Sequence, residues 1–455
     1  MPPTTDVFAS IFTRKGPTTK AIQEVLRAIG EATSGTKDVL QTRLLTKMVQ
    51  RKMPILTENG PKKVTRILSI DMGIRNLAYC VAEVKKLSSV NSAAEMSIAS
   101  WHRLDLSEAF REYSQGDDRK SLVGEAALEV GEDEDSFTPE KLSHMAYWFL
   151  NRMIDQHQPD VVLIERQRWR SASSPTIQQW TLRVNTLEAI MWGILTTLKS
   201  QQSSEKTKFN GWIRAVDPKR VGHFWLDNIT PTTTVEPKRV KSDSRSKPRS
   251  IEIAGDEESL VVDGTETVKR LSRSKAEKKA KIQLLRSWLE SDTPSTSLSN
   301  LNNKGPTLDF HPIINFFFSP VHADTTRQAF LYATDSPTER LKRTTSSEVY
   351  AKKVDDITDC FLQAAAWVAW DLNLTSLEPQ IGSLQEILED RLGERFPESQ
   401  LRLSDAVSRI QTMSRNDAKE EKTVKPARKT TRKSKTNTAR SLGEDEANSS
   451  EETKV

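Results

Sequence analysis

ILSIDMGIRNLAYCVAEV (residues 67–84) is an apolar run that closes on Asp71, turns at Gly73 and resumes as a second apolar run. The first half reads as a strand buried on both faces, and Gly73 permits a tight hairpin into the second. Strands are expected at about 64–72, 76–84 and 96–105. Further on, PDVVLIERQRWRS (159–171) is bounded by Pro159 and a polar flank, giving a strand at 160–165 that closes on Glu165. KKVDDITDCFLQAAAWVAW (352–370) crowds Asp355, Asp356 and Asp359 at the start of a helix over 354–372. Between these lie a helix at 138–157, a long helix at 176–199 and a short strand, WIRAV, at 212–216. The expected class is α/β: a mixed five-stranded sheet flanked by helices.

Three acidic clusters thus sit where an element delivers a carboxylate to one end of a sheet. A carboxylate at the tip of a buried strand loses hydration, and several converging repel one another. Divalent metal is the usual remedy. Three strands, then helix, strand, helix, strand and a late helix, is the order of an RNase H-like sheet. There the first and fourth strands lie side by side and parallel, so Asp71 and Glu165 become neighbours. On the late helix, Asp355 and Asp359 are four apart and Asp356 and Asp359 three apart, so either pair faces one point. Such a set holds two Mg²⁺ ions roughly 3.5–4 Å apart, with Mn²⁺ as a substitute, and supports phosphodiester hydrolysis. Each acid also has an ordinary reading: Asp71 as a turn residue, Glu165 as a solvent-exposed strand end, Asp355 or Asp356 as a helix N-cap.

The 455 residues carry a net charge of +5 and only 36% hydrophobic residues, so long stretches are expected to be loop or disordered. Residues 1–15 read as a disordered or targeting segment, and 415–455 as a disordered tail with basic and acidic runs. Between 415 and 440, ten Lys or Arg face three acids. Insertions are expected at 108–136, 231–270 and 291–347 within a domain spanning 63–375, followed by a peripheral helical segment at 376–414. The apolar patch Ile313–Phe318 has no assigned role. Cys80 and Cys360 lie in apolar segments and read as core residues in a reducing compartment. The six histidines are scattered without ligand spacing. No apolar stretch approaches membrane-spanning length, so no membrane partner is expected.

Residues 16–52 form a small unit of two helices, with Gly30 as a C′ glycine and a core of Leu26, Ile29, Leu40, Leu44 and Leu45. Through Leu26, Gly30, Ser34, Gly35, Thr36, Lys37, Leu40, Arg43 and Leu44 it resembles a SAP module, a helical hairpin that lays basic side chains on DNA phosphates. Lys37 and Arg43 are its candidate DNA contacts. Elsewhere Arg166, Arg168 and Arg170 follow Glu165, Lys219 and Arg220 follow Asp217-Pro218, and Lys353 precedes the late helix; all are candidates for phosphate contact. Trp169 reads equally as a ring that stacks on a base and as an ordinary packing residue. The stripe Ile177, Trp180, Val184, Leu187, Met191, Ile194 and Leu198 marks one face of the long helix, with Arg183 and Asn185 off it.

The blocks ILSIDMGIRNLAYC, VVLIERQRWRSASSPTIQQWTLRVNTLEAIMWGIL, AVDPKRVGHFW, KKAKIQLLRSWL and KKVDDITDCFLQAAAW resemble the fungal mitochondrial Holliday junction resolvases, within the RNase H-like superfamily. The resemblance implies that Asp71, Glu165 and Asp359, with Asp355 or Asp356, ligate metal. It implies a homodimer, a four-way DNA junction as substrate, and a mitochondrial location for which the N-terminal sequence itself gives only a faint signal. The rival readings are a noncatalytic DNA-binding or packaging protein, marked by junction binding without cleavage, and a nuclease on RNA–DNA hybrids, separated by substrate competition.

Overall fold

The structure, a computed structural model, describes residues 18–49, 64–87, 93–115, 137–167, 178–200, 209–226, 273–296, 312–335 and 353–377. Its elements run α1 (Thr19–Ala28), α2 (Lys37–Val49), β1 (Thr65–Asp71), β2 (Leu77–Leu87), β3 (Ala93–Leu104), α3 (Leu106–Gln115) and α4 (Pro139–His157). They continue through β4 (Val161–Glu165), α5 (Gln179–Ser200), β5 (Trp212–Val216), α6 (Pro218–Leu226), α7 (Arg273–Leu289), β6 (Ile313–Phe318), α8 (Ala323–Thr334) and α9 (Val354–Leu377). None of the described helices is long and apolar enough to cross a membrane.

The sheet order is β5-β4-β1-β2-β3-β6. β1–β2 and β2–β3 are antiparallel, whereas β1–β4, β4–β5 and β3–β6 are parallel. This is the RNase H-like arrangement with one strand added. The count of five is corrected to six: the sixth is the apolar patch Ile313–Phe318, inside the segment 291–347 taken as an insertion. α8 falls in that segment too. A short run pairing with a strand far away in sequence carries no local signature of its partner, which is why its role stayed hidden.

Two other helices stand where loop was expected. α3 opens at the edge of the 108–136 segment, with the Asp105 carboxylate accepting from the Ser107 and Glu108 amides at 3.0 and 3.2 Å. α6 begins at Pro218 behind Asp217, whose carboxylate accepts from the Lys219 amide at 2.9 Å. The segment 231–270, both chain ends as far as residue 17 and from 378, and residues 116–136 lie outside the described residues.

Helices cover both faces of the sheet. On one, Leu68, Ile70, Tyr79 and Val81 pack with α3, α4 and α5. On the other, Ile67, Ala78, Cys80 and Ala82 meet α6, α7, α8 and α9. The small side chains on β2 let α9 lie close, and its own Ala364, Ala365 and Ala366 are fully buried. Side chains from other elements fix α9 along its axis. Trp101 Nε1 donates to Ile357 O (2.9 Å), Ser69 Oγ to Cys360 O (2.8 Å) and Trp225 Nε1 to Leu362 O (3.1 Å). Gln363 Nε2 reaches Ser69 Oγ at 3.0 Å and Ile70 O at 3.3 Å. A helix buried on nearly all sides has little freedom to shift, so these bonds set where its first turn falls relative to β1.

The N-terminal hairpin packs on the far end of the same helix. Ile22, Val25, Leu26, Ile29, Leu40 and Leu44 share a core with Leu374 and Leu377. Asn373 Nδ2 donates to Ala28 O at 2.7 Å, and Arg220 Nη1 donates to Gly30 O at 3.0 Å. Gly30 has φ +71°, and a Cβ there would lie 2.3 Å from the Trp370 ring. Both the backbone and the contact demand glycine.

Candidate active site

Parallel pairing of β1 with β4, whose last matched residues are Ile70 and Ile164, sets Asp71 and Glu165 side by side just beyond. Their carboxyl groups share a hydrogen bond. Asp71 is only 9% exposed. Burial first, then the charges of Glu165 and Asp359, that shared bond, and Asp356 hold its pKa well above the ordinary carboxylate range. The opening of α9 therefore faces the same point as the two strand tips, and four acids from three distant stretches of chain meet.

The three aspartates of α9 differ. Burial and the neighbouring Asp355 push the Asp356 carboxyl up to about 6, although Lys353, Arg103 and Lys278 pull the other way. One of its oxygens, Oδ2, is buried with no hydrogen-bond partner. Asp355 is partly buried, which would raise it, but the hydrogen bond and charge of Lys278 outweigh that and lower it. That ion pair measures 2.6 Å. Asp359 is paired with Lys281 at 2.9 Å. Lys281 is a lysine only 7% exposed. Burial favours its neutral amine, yet Asp359, Glu277 and Glu165 more than compensate, so its pKa is raised.

As the side chains lie, the acids form pairs and not a closed cage. Among the described residues, no three His, Cys, Asp or Glu side chains stand together tightly enough to hold an ion. The donor set nevertheless fits a hard divalent cation. It is all carboxylate oxygen, burial and mutual repulsion raise the pKa of its central member Asp71, and Asp356 Oδ2 has an unmet acceptor.

The basic candidates divide. Lys219 and Lys353 are exposed, Lys219 on the first turn of α6 and Lys353 just before α9, and Lys353 bears electrostatically on both Asp355 and Asp356. Arg166 is exposed immediately after Glu165, its amide donating to Val216 O at 2.8 Å. Lys37 is half-buried at the start of α2. Arg220 faces inward to the hairpin, bonding Gly30 O and lying 3.7 Å from Glu31. Arg43 likewise donates to the loop carbonyls of Ala32 and Ser34. Arg168, Trp169 and Arg170 lie outside the described residues.

Sequence reasoning missed the lysines of α7 and Arg103, whose charge bears on Asp356. A signal for Lys281 was present: in KAEKKAKIQLLRSWL it falls on the stripe of Leu284, Leu285 and Trp288, an apolar position where a lysine needs a buried acid.

Residues 67–377 match the family described as mitochondrial resolvase Ydc2 / RNA splicing MRS1. The chain is 25% identical over 218 residues to the mitochondrial cruciform cutting endonuclease 1 of Schizosaccharomyces pombe, covering 48% of this chain and 70% of that protein. It is 24% identical over 377 residues to the Saccharomyces cerevisiae protein of the same name, covering 81% and 86%. A crystal structure of the yeast mitochondrial Holliday junction resolvase Ydc2 superposes with a TM-score of 0.44 at 19% identity, spanning 81% of this chain and 99% of that one.

Proposed function

The chain belongs to the mitochondrial resolvase Ydc2 / RNA splicing MRS1 family, and from that premise we propose that it is a structure-selective endodeoxyribonuclease that resolves four-way DNA junctions in mitochondria by paired nicking. The observation that carries this reading is the meeting of Asp71, Glu165, Asp356 and Asp359 at one sheet end, on elements otherwise buried. The family description spans a splicing role as well as resolution. A protein that only held RNA would gain nothing from concentrating desolvated carboxylates, which cost stability unless a cation is bound. That cost favours the nuclease over both a splicing factor and a noncatalytic DNA-packaging protein.

In this reading Asp71, Glu165, Asp356 and Asp359 hold two Mg²⁺ ions, or Mn²⁺ in their place. Asp355 is committed to Lys278 and lies outside the ligand set. Bound there, the metal supplies an activated water and charge stabilisation at the scissile phosphate. The protein's own contribution is placement: β1 and β4 set two carboxylates in register, and the bonds from Trp101, Ser69 and Trp225 to α9 set the other two. Lys353, Lys219 and Arg166 line the approach as phosphate contacts, with Lys37 of the hairpin further out.

Two copies are needed to cut two opposing strands. The outward side of α5 offers a seat, with Leu182 51% exposed and a hollow of about 490 Å³ bounded by Leu182, Ala189, Ile190 and Pro139. We assign the dimer contact there.

The test is purified protein with a synthetic four-way junction and Mg²⁺. Asp71→Asn and Glu165→Gln are each expected to lower paired nicking by about a thousandfold or more while junction binding persists. Cutting by either variant at the parent rate removes the proposed centre. An RNA–DNA hybrid that outcompetes the junction for cleavage redirects the reading to hybrids.

A further inference from the structure

On the β1–β2 turn and the opening of α5, two arginines converge on one aromatic ring. Arg75 sits on the turn that joins β1 to β2, four positions after Asp71, and is exposed. Its guanidinium carbon lies 5.7 Å from the centroid of the Phe137 ring, and that of Arg183, on the first turns of α5, lies 5.3 Å from the same centroid. Phe137 in turn meets Trp180 edge-on, centroids 5.4 Å apart at 84°. Phe137 is only 8% exposed, whereas Trp180 is 40% exposed.

Packing alone accounts poorly for this group. The first turn of α5 leaves an indole two-fifths open to water, with two guanidinium groups gathered at the ring it packs on. A phosphate beside these guanidinium groups suits their charge, and a flat apolar ring laid on Trp180 covers the open part of the indole. A nucleotide carries both in one unit. The turn bearing Arg75 is also held to the centre, since Arg103 donates to Asn76 Oδ1 at 3.0 Å and its charge bears on Asp356. A nucleotide held here is a short step along a strand from the phosphate that the acids would attack.

We propose that Trp180, Arg75 and Arg183, supported by Phe137, form a binding site for one unpaired DNA nucleotide, the base stacking on Trp180 and the phosphate lying between the two arginines. The inference rests on the nuclease reading and deepens it: it names the element that favours a branched substrate, where bases leave the stack, over continuous duplex. Phosphate contact from the arginines carries no such preference, because every strand has phosphates. Stacking does, because only an unpaired base offers its face.

The two contributions separate experimentally. Fluorescence anisotropy of the full chain is measured without divalent metal, against a four-way junction, a duplex with a three-nucleotide gap and a continuous duplex, each across a salt series. Trp180→Ala is expected to weaken the junction and gapped complexes about tenfold and to leave the continuous duplex unchanged. Trp180→Phe should restore most of the loss. Arg75→Gln and Arg183→Gln are each expected to weaken all three complexes and to flatten the log–log salt slope by about one. If Trp180→Ala lowers the melting temperature while leaving the junction-to-duplex ratio at the parent value, the ring is a fold staple and the proposal is overturned. If the unaltered chain itself binds junction no better than duplex, the nuclease reading fails and the site falls with it.

Discussion

Asp355 and Asp356 are adjacent on one helix, yet their surroundings drive them apart. Asp355 leans on Lys278 at 2.6 Å, while Asp356 keeps a buried oxygen unpartnered. Sequence could not choose between them, since both sit at helical spacing from Asp359; the choice is made by which side α7 approaches. Asp356→Asn should therefore abolish metal-dependent cutting, and Asp355→Asn should keep it within about tenfold of the parent, as for loss of a partly exposed pair. The pH dependence follows from the same difference. An unfolded chain releases this proton near pH 4, about 3.9 for aspartate, whereas the folded protein keeps it up to about 6. The folded state binds more protons in that window, so metal-free protein loses stability as pH rises from about 4 to 6. Asp71, whose pKa is also raised, first by burial and then by Glu165 and Asp359, adds to the same trend. Thermal melts in chelator should show the fall, Asp356→Asn should flatten it, and Mg²⁺ should offset it increasingly as pH rises. A metal-free protein that gains stability over that window contradicts the assignment. Lys281→Met tests the buried cation: it leaves Asp359 uncompensated and should cost the metal-free protein about 3 kcal/mol in urea unfolding, partly recovered with Mg²⁺.

Elements with strong local signatures were legible before any coordinates. β1, β4 and β5 each end where an apolar run meets a polar flank, and α9 begins where its aspartates crowd. β6, α6 and α8 were not, because their stability comes from partners remote in sequence. Tyr332 and Phe330 announce no helix, and Phe316 packs on Trp288 and Phe361 only after the sheet exists. The long helix α5 was only half legible. Its stripe of Val184, Leu187, Met191 and Leu198 is buried as expected, but Trp180 is exposed and Asn185 is buried, its amide donating to Thr181 O at 2.7 Å. At the hairpin, Gly30 was readable as a helix end but not as the point of docking. Gly30→Ala meets both a positive φ and the Trp370 ring. Limited proteolysis should show residues 18–49 released from the core while β1 and the first turns of α9 stay protected; equal protection of residues 18–49 in parent and variant would contradict this.

At the scale of the proposed dimer, symmetric cutting asks for two acidic centres at a set separation, which the proposed α5 contact would define. Leu182→Asp puts charge into the exposed apolar seat and is expected to shift the protein to monomer in sedimentation. It should also replace paired nicks by single ones, each monomer keeping its intact centre. A dimer that survives this change locates the contact elsewhere.

The fusion of the hairpin to the tail end of α9 has a practical corollary. Residues before β1 are not a detachable cassette: they roof over Leu374, Leu377 and part of Trp370. A gene product whose translation began past residue 52 would carry a greasy stump at the end of α9. Such a shortened polypeptide should precipitate or be captured by chaperones, so a loss of nicking on deletion would report misfolding before it reported any lost grip on DNA.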